Sequence, residues 1–356
     1  MNSNGRDMRT AEFISPQDPR WKKFLRTCQY DFYQLPEYVE VCARQEGASA
    51  VAFYAEDGDT AFLAPLLIRP IPRSLGAPEG WSDAVSPYGY STPLVTPSEV
   101  SLDRFLDAFC HAARQRGLVT AFLRLHPLLG LNHKDLSKFG QLVKHGQTVY
   151  MDLSESAEES WKQISPDHRR NIRKLVSLGF TVSLDEWRLF KDFIVIYLAT
   201  MQRVEASAGY LFSEEYFEAL RAALGERLHL CCVLSPRGDV AAAALFVETE
   251  GIVQHHLGGT ASHYIQYAPT KLMYPFMSSW ARERSNNVLH IGGGLGGADD
   301  SLFRFKAWFS KARADFFTYR MIFDEQANDT LIRLTKARVE GTSSPCSNFF
   351  PVYRAG

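Results

Sequence analysis

Long apolar runs, which would mark a membrane span, are absent from this sequence. No stretch approaches the ~18 consecutive apolar residues that a spanning helix needs. The first residues, MNSNGRDMRTAEF, also lack the apolar core of a secretory signal. We therefore expect a cytoplasmic protein without membrane insertion.

Cysteine and excess charge are scarce as well. The six cysteines are scattered and include one vicinal pair, Cys231 and Cys232, so neither a disulfide framework nor CxxC metal spacing is present. We expect reduced cysteines and assign no metal. A net charge of -1 excludes a globally basic nucleic-acid binder, but it leaves room for one local basic face.

The chain has enough length and apolar material for two domains. Its 356 residues exceed what one core usually supports, and 46% of them are hydrophobic. We place the boundary near Gly146, which gives domains at 1–146 and 147–325. A helix at 326–340 is predicted to pack back on the first domain, and 341–356 is predicted to form an extended tail.

The apolar periodicity predicts mixed helix and sheet in the first half. DFYQLPEYVEVCARQ reads as helical, and two apolar runs flank the turn formers Asp57, Gly58 and Asp59 as in a hairpin. A Pro/Gly-rich passage from Pro70 to Pro97 follows. After it come the amphipathic helix SLDRFLDAFCHAARQRG and the strand TAFLRLHPL.

The second half repeats a strand, helix, strand order. TVYMDL predicts a strand and ESWKQISPDHRRNIRKLVSLG one continuous helix, and three strands with tight turns follow in LHLCCVLSPRGDVAAAALFVETEGIVQHHLGGT. A helix, the strand VLHIGG, the short segment SLFRFKAWFS and the strand ADFFTYRMIF complete it. This order predicts an α+β fold with a mixed, mostly antiparallel sheet flanked by helices, as in a GNAT-type domain.

The stretch LHIGGGLGGADDSLFRFKAWFS, from Leu289 to Ser310, is the strongest candidate for chemistry. Its strand ends in three glycines, which indicates unusual backbone dihedrals or a close approach to the main chain. Lys306 follows among large apolar residues, as either a solvated side chain or a positioned cation. A Walker loop and a dinucleotide fold are excluded, since neither Gly-Lys-Ser/Thr nor the required helix follows the glycines.

Several motifs resemble the Fem-type branch of the GNAT superfamily, which includes non-ribosomal peptidyltransferases that extend peptidoglycan cross-bridges. In the second half these are HHLGGT at 255–260, Ala-Pro at 268–269, HIGGG at 290–294, DSLFRFKAWFS at 300–310 and the basic helix RRNIRKLVSLG at 169–179. In the first half they are PYGYSTP at 87–93 and RLHPL at 124–128.

The resemblance implies two tandem GNAT-like domains and an aminoacyl-tRNA as acyl donor, with no other cofactor. The acceptor would be an amine on a peptide, a peptidoglycan precursor or a secondary-metabolite intermediate. Lys306 would stabilise the charge that develops during ester aminolysis, with Phe305 beside it as a wall or stacking surface. His256 could act as base for the amine, and its neighbour His255 should then point to the opposite face of the strand.

Two further groups of residues follow from the same resemblance. The donor would contact a basic helical face, for which a solvated surface is the alternative interpretation: Arg169, Arg170, Arg173 and Lys174. The acceptor and the cleft would be lined by Tyr88, Tyr90, Arg124, His126, Arg203, Tyr210, Gly293 and Asp300.

Two alternatives to this function stay open. The protein could be an acyl-CoA-dependent N-acyltransferase, although ASHYIQYAPTKL holds no glycine where a pyrophosphate-binding loop would lie, which favours aminoacyl-tRNA. It could also be an RNA- or peptide-binding module without catalysis, because fold alone does not determine chemistry.

Overall fold

Two compact units make up the chain. The computed structural model describes residues 8–339 and 349–355. The first unit comprises residues 1–144 and 317–356, and the second comprises 145–316. Of the predicted tail at 341–356, residues 341–348 and 356 lie outside the described residues.

The strands and helices are numbered in chain order. The strands are β1 (Thr10–Ile14), β2 (Ser49–Asp57), β3 (Thr60–Pro70), β4 (Ser82–Val85), β5 (Leu94–Thr96), β6 (Leu118–Arg124), β7 (Gln141–Asp152), β8 (Thr181–Leu184), β9 (Leu228–Leu234), β10 (Val240–Thr249), β11 (Ile252–Thr260), β12 (Val288–Gly292) and β13 (Arg313–Ile322). The helices are α1 (Pro19–Leu25), α2 (Pro36–Glu46), α3 (Asp103–Gln115), α4 (His133–Phe139), α5 (Ala157–Gln163), α6 (Pro166–Ser177), α7 (Phe190–Arg203), α8 (Glu214–Leu224), α9 (Met273–Glu283), α10 (Ser301–Ala307) and α11 (Glu325–Val339).

The two sheets have the same strand pattern. In the first unit β1 to β4 pair antiparallel in sequence, β5 adds to β3, β4 pairs parallel with β6, and β6 pairs antiparallel with β13. In the second unit β8 to β11 pair antiparallel, β11 pairs parallel with β12, and β12 pairs antiparallel with β7. The α+β class and the mostly antiparallel sheets predicted from the sequence are confirmed.

The last strand of each sheet corrects the predicted domain limits. The sequence placed 317–325 in the second domain, but Thr318–Ile322 pair with β6 and therefore belong to the first unit. The change between units falls at Lys144, whereas the sequence placed it near Gly146. Helix α11 also belongs to the first unit, where its buried residues pack on Val119 and Tyr353.

Local signals explain where elements start and stop. The β2–β3 hairpin turns at Gly58, whose φ of 63° is left-handed and accessible to glycine at little cost. The helix predicted as continuous over 159–179 is instead two helices. Ser165 caps α6 by accepting from the His168 amide at 3.3 Å, and Pro166 has no N–H to continue α5.

Each unit has a separate hydrophobic core. The first is dominated by aromatic residues between α3 and its sheet: Phe53, Phe62, Phe105 and Phe109. The second packs α9 and α10 on β10 to β12, with Phe246, Met273, Met277, Leu289 and Phe309 at its centre. None of the helices in the described part of the chain is both long and apolar enough to cross a membrane.

Candidate active site

The parallel strands of the second unit stop pairing well before they end. β11 and β12 pair from Ile252↔Val288 to Gln254↔His290 only, although β11 runs on to Thr260. Directly beyond that point both strands are irregular: His256 is the extra residue opposite β10, and a register shift follows His290 on β12. Bulges of this kind bend strands and end pairing. The sheet therefore opens between the carboxyl-terminal parts of β11 and β12.

A buried hydrogen-bond chain fixes the last paired position. His290 Nδ1 lies 2.7 Å from Gln254 Oε1, and His290 Nε2 lies 2.9 Å from Thr148 Oγ1. All three side chains are buried. The chain ties β7, β12 and β11 together at the level where the parallel pairing ends.

Lys306 projects from α10 beside the end of β12. Asp300 caps this helix by accepting from the Phe303 amide at 2.8 Å. The Lys306 side chain is only 8% exposed, and its Nζ donates to the Gly293 carbonyl at 2.8 Å. Burial lowers the pKa of Lys306 to about 8, against the opposing effect of the Asp300 carboxylate. The site thus holds an ammonium that is still mainly charged at neutral pH.

Asp300 holds the glycine-rich loop as well as the helix. Its second oxygen accepts from the Leu295 amide at 2.8 Å. Partial burial alone would raise the pKa of Asp300, but amides of the neighbouring backbone and the charge of Lys306 outweigh it and lower the pKa. Asp300 is therefore an ionised capping residue that keeps loop and helix in register.

The protein itself accounts for the consecutive glycines. Gly292 has a left-handed φ of 86°. A Cβ on Gly294 would lie 2.2 Å from the Ala298 carbonyl oxygen and 2.4 Å from Asp300 Oδ1. A Cβ on Gly293 would lie 3.0 Å from the Gln147 carbonyl oxygen. The glycines let the loop fold closely on itself and on β7, which brings the Gly293 carbonyl to Lys306.

The paired histidines differ from the sequence expectation. Strict alternation would put His255 and His256 on opposite faces, but His256 is the bulged residue, so the alternation does not hold there. Burial, then the charges of Lys306 and His256, lower the pKa of His255 to about 3. The Tyr274 hydroxyl lies 3.5 Å from His255 Nδ1. It is thus His255 that the Lys306 charge acts upon.

The role of base predicted for His256 is weakened by its environment. Burial lowers the pKa of His256 to about 3. A general base works best when its pKa is near the operating pH, so this imidazole is neutral but a poor proton acceptor at pH 7. The sequence analysis did not select His255, whose pKa the Lys306 charge lowers, or Tyr274, whose hydroxyl lies near His255 Nδ1, for the site.

Helix α6 presents its basic residues outward. Its buried face consists of His168, Ile172 and Leu175. Arg169 is partly exposed, and the remaining predicted donor-binding residues are exposed: Arg170, Arg173 and Lys174. The Arg170 guanidinium pairs with Asp167 at 2.6 Å, and Arg173 lies 5.8 Å above the Trp161 ring.

The same helix is attached to α10. The Ser165 amide donates to the Trp308 carbonyl at 2.8 Å. His168 is fully buried, with its ring 5.3 Å from Phe305, 5.1 Å from Trp308 and 4.6 Å from Phe309. Burial, then the nearby Lys271, lower the pKa of His168 to about 4. The basic helix and the helix that carries Lys306 therefore form one packed group, with Phe305 in its wall.

Arg203 and Tyr210 lie along α7 and the loop that follows it. The Arg203 guanidinium donates to the Thr260 carbonyl at 3.3 Å and to Thr200 Oγ1 at 3.2 Å. The Tyr210 carbonyl accepts from the Tyr197 hydroxyl at 2.6 Å. Arg203 therefore secures the end of β11.

The first-domain signatures lie at the carboxyl ends of β4 and β6, the parallel pair of the first unit. His126 is 4% exposed. Its Nδ1 accepts hydrogen bonds from the amides of Leu128 and Leu129, so the ring proton is on Nε2. Nε2 donates this proton to the Asp31 carboxylate at 3.0 Å. Both ring nitrogens are thus used inside the fold. These bonds fix the orientation of the His126 ring, and its role in lining a cleft stays a prediction.

The tyrosine-rich signature is held by neighbouring segments of the same unit. The Tyr38 hydroxyl donates to the Tyr88 carbonyl at 2.9 Å, and the Tyr90 ring lies 6.0 Å from His126. Arg124 stands above the Phe122 ring at 5.2 Å. Tyr88, Tyr90 and Arg124 remain partly exposed, so they stay candidates for contacting an acceptor.

Within residues 8–339 and 349–355, no three His, Cys, Asp or Glu side chains lie together as they would around a metal ion.

Comparison with known proteins places this fold. Residues 163–307 match the family model described as an acetyltransferase (GNAT) domain. The structure of FemX superposes with a TM-score of 0.65 at 15% identity, over 87% of this chain and 97% of that one. L-PGS from Bacillus licheniformis gives 0.55 at 12% identity, over 90% and 97% of the two chains. The C-terminal domain of a putative lysylphosphatidylglycerol synthetase from Agrobacterium fabrum gives 0.55 at 13%, over 90% and 95%.

No match is found among curated proteins. At these identities the structural similarity establishes the fold, and the family model establishes a GNAT domain in the second unit. The chain has the tandem GNAT-like fold of the Fem-type proteins, as its motifs indicated.

Proposed function

We propose that this protein is an acyltransferase that moves an amino acid from aminoacyl-tRNA to an amine acceptor and forms an amide bond. The observation that carries the proposal is Lys306, a buried ammonium at the opening between β11 and β12. Its pKa of about 8 leaves it charged at neutral pH in a site largely closed to water. Such a cation is suited to stabilise an oxyanion.

The reaction assigned to this site is ester aminolysis. The acceptor nitrogen attacks the ester carbonyl carbon, and a tetrahedral intermediate with a negative oxygen forms beside Lys306. The bond between the carbonyl carbon and the ribose oxygen then breaks, the new carbon–nitrogen bond remains, and the proton lost by the amine ends on the released ribose hydroxyl. Lys306 stabilises the intermediate without giving up its proton.

Two features favour an aminoacyl-tRNA donor. One is the exposed basic face of α6, which is attached to α10 through Ser165 and Trp308. The other is the segment between β11 and α9, where two short turns, Ser262–Tyr267 and Pro269–Leu272, contain no glycine to cradle a pyrophosphate. One protein with this fold is named a putative lysylphosphatidylglycerol synthetase, a name that denotes a product carrying a lysyl group.

An acyl-CoA-dependent N-acyltransferase is the second candidate, and the match of 163–307 to a GNAT acetyltransferase domain favours it. The two candidates share the role of Lys306 and differ in the donor. Cytoplasmic location and the nature of the acceptor amine remain part of this proposal.

The test supplies purified protein with labelled aminoacyl-tRNAs and, in parallel, labelled acetyl-CoA, together with an amine extract as acceptor. We expect label to move from the tRNA, and Lys306→Ala to lower the rate about 10²–10³-fold while donor binding is retained. Arg304→Ala is the matched control, since Arg304 lies on the same helix but is 67% exposed in its side chain. Transfer from acetyl-CoA alone would establish the second candidate. Transfer that is unaffected by Lys306→Ala would remove Lys306 from the reaction, and donor binding without any transfer would favour a binding module.

A further inference from the structure

An exposed tryptophan stands two residues beyond Lys306. Trp308 is 50% exposed, whereas the other aromatic rings around α10 are less open: Phe303 and Phe305 are partly buried, Phe309 is 0% and Tyr274 is 1% exposed. Single exposed apolar side chains are common on protein surfaces, so the meaning of this exposed ring depends on the groups that surround it.

The position of this ring is fixed by contacts on one side. The Trp308 carbonyl accepts from the Ser165 amide at 2.8 Å, and its ring meets the buried His168 ring at 5.1 Å with an interplanar angle of 82°. The indole is thus held at the start of α6, with half of its surface open to solvent. An aromatic surface held in this way loses little freedom when it stacks on a ligand.

The basic residues of α6 continue from this point. Between Ser165 and Lys174 the helix rises about 13 Å, at 1.5 Å per residue. Along that length it carries Arg169, Arg170 and Arg173, and the acidic Asp167 offsets only Arg170. A polyanion that begins at Trp308 would therefore find cations along the whole helix.

We propose that Trp308 is a stacking platform for an unpaired base at the single-stranded 3′ end of the donor RNA, while α6 contacts the phosphates that follow. Aromatic platforms beside basic tracks are the usual way in which proteins hold single-stranded nucleic acid. This inference rests on the proposed aminoacyl-tRNA donor. The reactive ester is carried by the terminal ribose, so a base stacked close to that ribose would hold the ester end of the donor at α10, the helix that carries Lys306.

Stacking on an indole tolerates any base, because every base has an aromatic face. The platform therefore distinguishes an unpaired 3′ end from a paired one rather than one sequence from another. The basic helix also favours RNA over acyl-CoA, because acyl-CoA has no continuous sugar–phosphate chain to follow the arginines of α6.

The experiment measures RNA binding and needs no acceptor. The probes are a fluorescent stem-loop RNA with a short unpaired 3′ extension and the same stem-loop with a blunt end, titrated at one fixed salt concentration. We expect tighter binding of the extended RNA, and Trp308→Ala should weaken it about 5- to 150-fold, the range found for loss of one stacked base. Trp308→Tyr should restore most of the affinity, because a tyrosine ring still stacks.

Leu302→Ala is the matched control, since Leu302 is an apolar residue of α10 that is 46% exposed but cannot stack. Equal losses for Trp308→Ala and Leu302→Ala would overturn the proposal, as would equal binding of extended and blunt RNA. If the wild-type protein bound neither RNA yet acylated amines from acetyl-CoA, the donor assignment itself would fail. RNA binding that is insensitive to Trp308→Ala would remove the platform and leave that assignment intact.

Discussion

A buried ammonium is unfavourable unless the protein compensates for its lost hydration, and Lys306 shows the balance at the scale of a single residue. Its charge is held by one carbonyl, that of Gly293, and by the nearby Asp300 carboxylate. The pKa of Lys306, about 8 against an ordinary 10.5, shows that the compensation is incomplete. The folded protein therefore carries a charged group that the proposed reaction requires and that stability does not.

Lys306→Met should stabilise the protein at neutral pH. The pKa of Lys306 is lower in the folded protein than in the unfolded chain, so the unfolded chain binds more protons between pH 8 and 10.5. The free energy of unfolding of the wild type therefore rises as the pH rises through that window. The methionine variant lacks this penalty, so we expect it to exceed the wild type by about 1–3 kcal/mol below pH 8. Urea unfolding from pH 6 to 10.5 should show the difference shrinking toward zero at the alkaline end, and a constant difference would contradict the argument.

The activity of the wild-type protein should fall as pH rises through about 8, since deprotonation of Lys306 removes the charge that faces the oxyanion. The measurement is the pH dependence of single-turnover transfer with saturating donor. The residual activity of Lys306→Ala should lack this alkaline limb, and a limb that persists would assign it to another group.

At this scale the sequence predicted the lysine but not its partners. Lys306 could be selected because a cation among aromatic residues is unusual, and the consecutive glycines marked a special backbone. His256 was preferred over His255 because a regular strand alternates its faces, and nothing in HHLGGT signals the bulge opposite Leu245 and Phe246. Bulges depend on the partner strand, which one segment of sequence does not contain.

Helix α6 is the element on which donor selection depends in our proposal. Helix α6 begins sharply because Ser165 and Pro166 separate it from α5. It is attached to α10 through the bond from the Ser165 amide to the Trp308 carbonyl. The continuous helix predicted over 159–179 would have left the basic face without that attachment. The prediction followed the apolar spacing, which continues across the break, and gave too little weight to Ser165 and Pro166, a local signal for the start of a helix.

Replacing Arg169, Arg170 and Arg173 together by alanine should weaken RNA binding and flatten its salt dependence. For single-stranded RNA, each lost contact between an arginine and a phosphate reduces the slope of log affinity against log salt by about 0.7. The loss of all three arginines should therefore change this slope by about 2. Binding is measured by anisotropy over a salt series. The exposed pair Arg188 and Arg237, replaced by alanine, serves as control; an unchanged slope in the triple variant would remove α6 from the donor site.

Strand β4 illustrates the opposite limit of sequence analysis. It lies within the Pro/Gly-rich passage from Pro70 to Pro97 and spans only four residues, too few for a periodicity to be recognised. It is nevertheless the parallel partner of β6 and fixes the position of the tyrosine-rich signature. The hairpins and long helices were predicted because their patterns are local, whereas β4 exists only through its neighbours.

On the scale of the whole chain, the C-terminal segment belongs to the first unit. Asp83 on β4 is fully buried and accepts from Arg69 at 2.9 Å and from Arg354 at 2.7 Å. The Tyr353 hydroxyl lies 2.7 Å from Thr120 Oγ1 on β6. The predicted extended tail thus includes residues that are anchored in the first unit.

Asp83→Asn should destabilise the protein by roughly 2–3 kcal/mol, because two arginines lose the carboxylate that neutralises them, while both keep some access to water. Thermal unfolding is the measurement. Arg354→Ala should cost less than Asp83→Asn, since Arg69 continues to pair with the carboxylate. A loss for Asp83→Asn no greater than that for Arg354→Ala would show that the double pairing contributes nothing.

The sheets themselves show what the sequence could not convey. The order of elements predicted two α+β domains, and that is confirmed. The exchange at the last strand was missed, since β13 begins in the second unit whereas its later half pairs with β6 of the first. Strand pairing over such separations leaves no mark in local composition.

This exchange also sets an order for synthesis. The ribosome releases residues 1–144 long before residues 317–322, which complete the sheet of that unit. The second unit, by contrast, is complete once Phe316 has emerged. During translation the amino-terminal half must therefore wait with an open β6 edge until the downstream half has been made, and the domain that starts first finishes last.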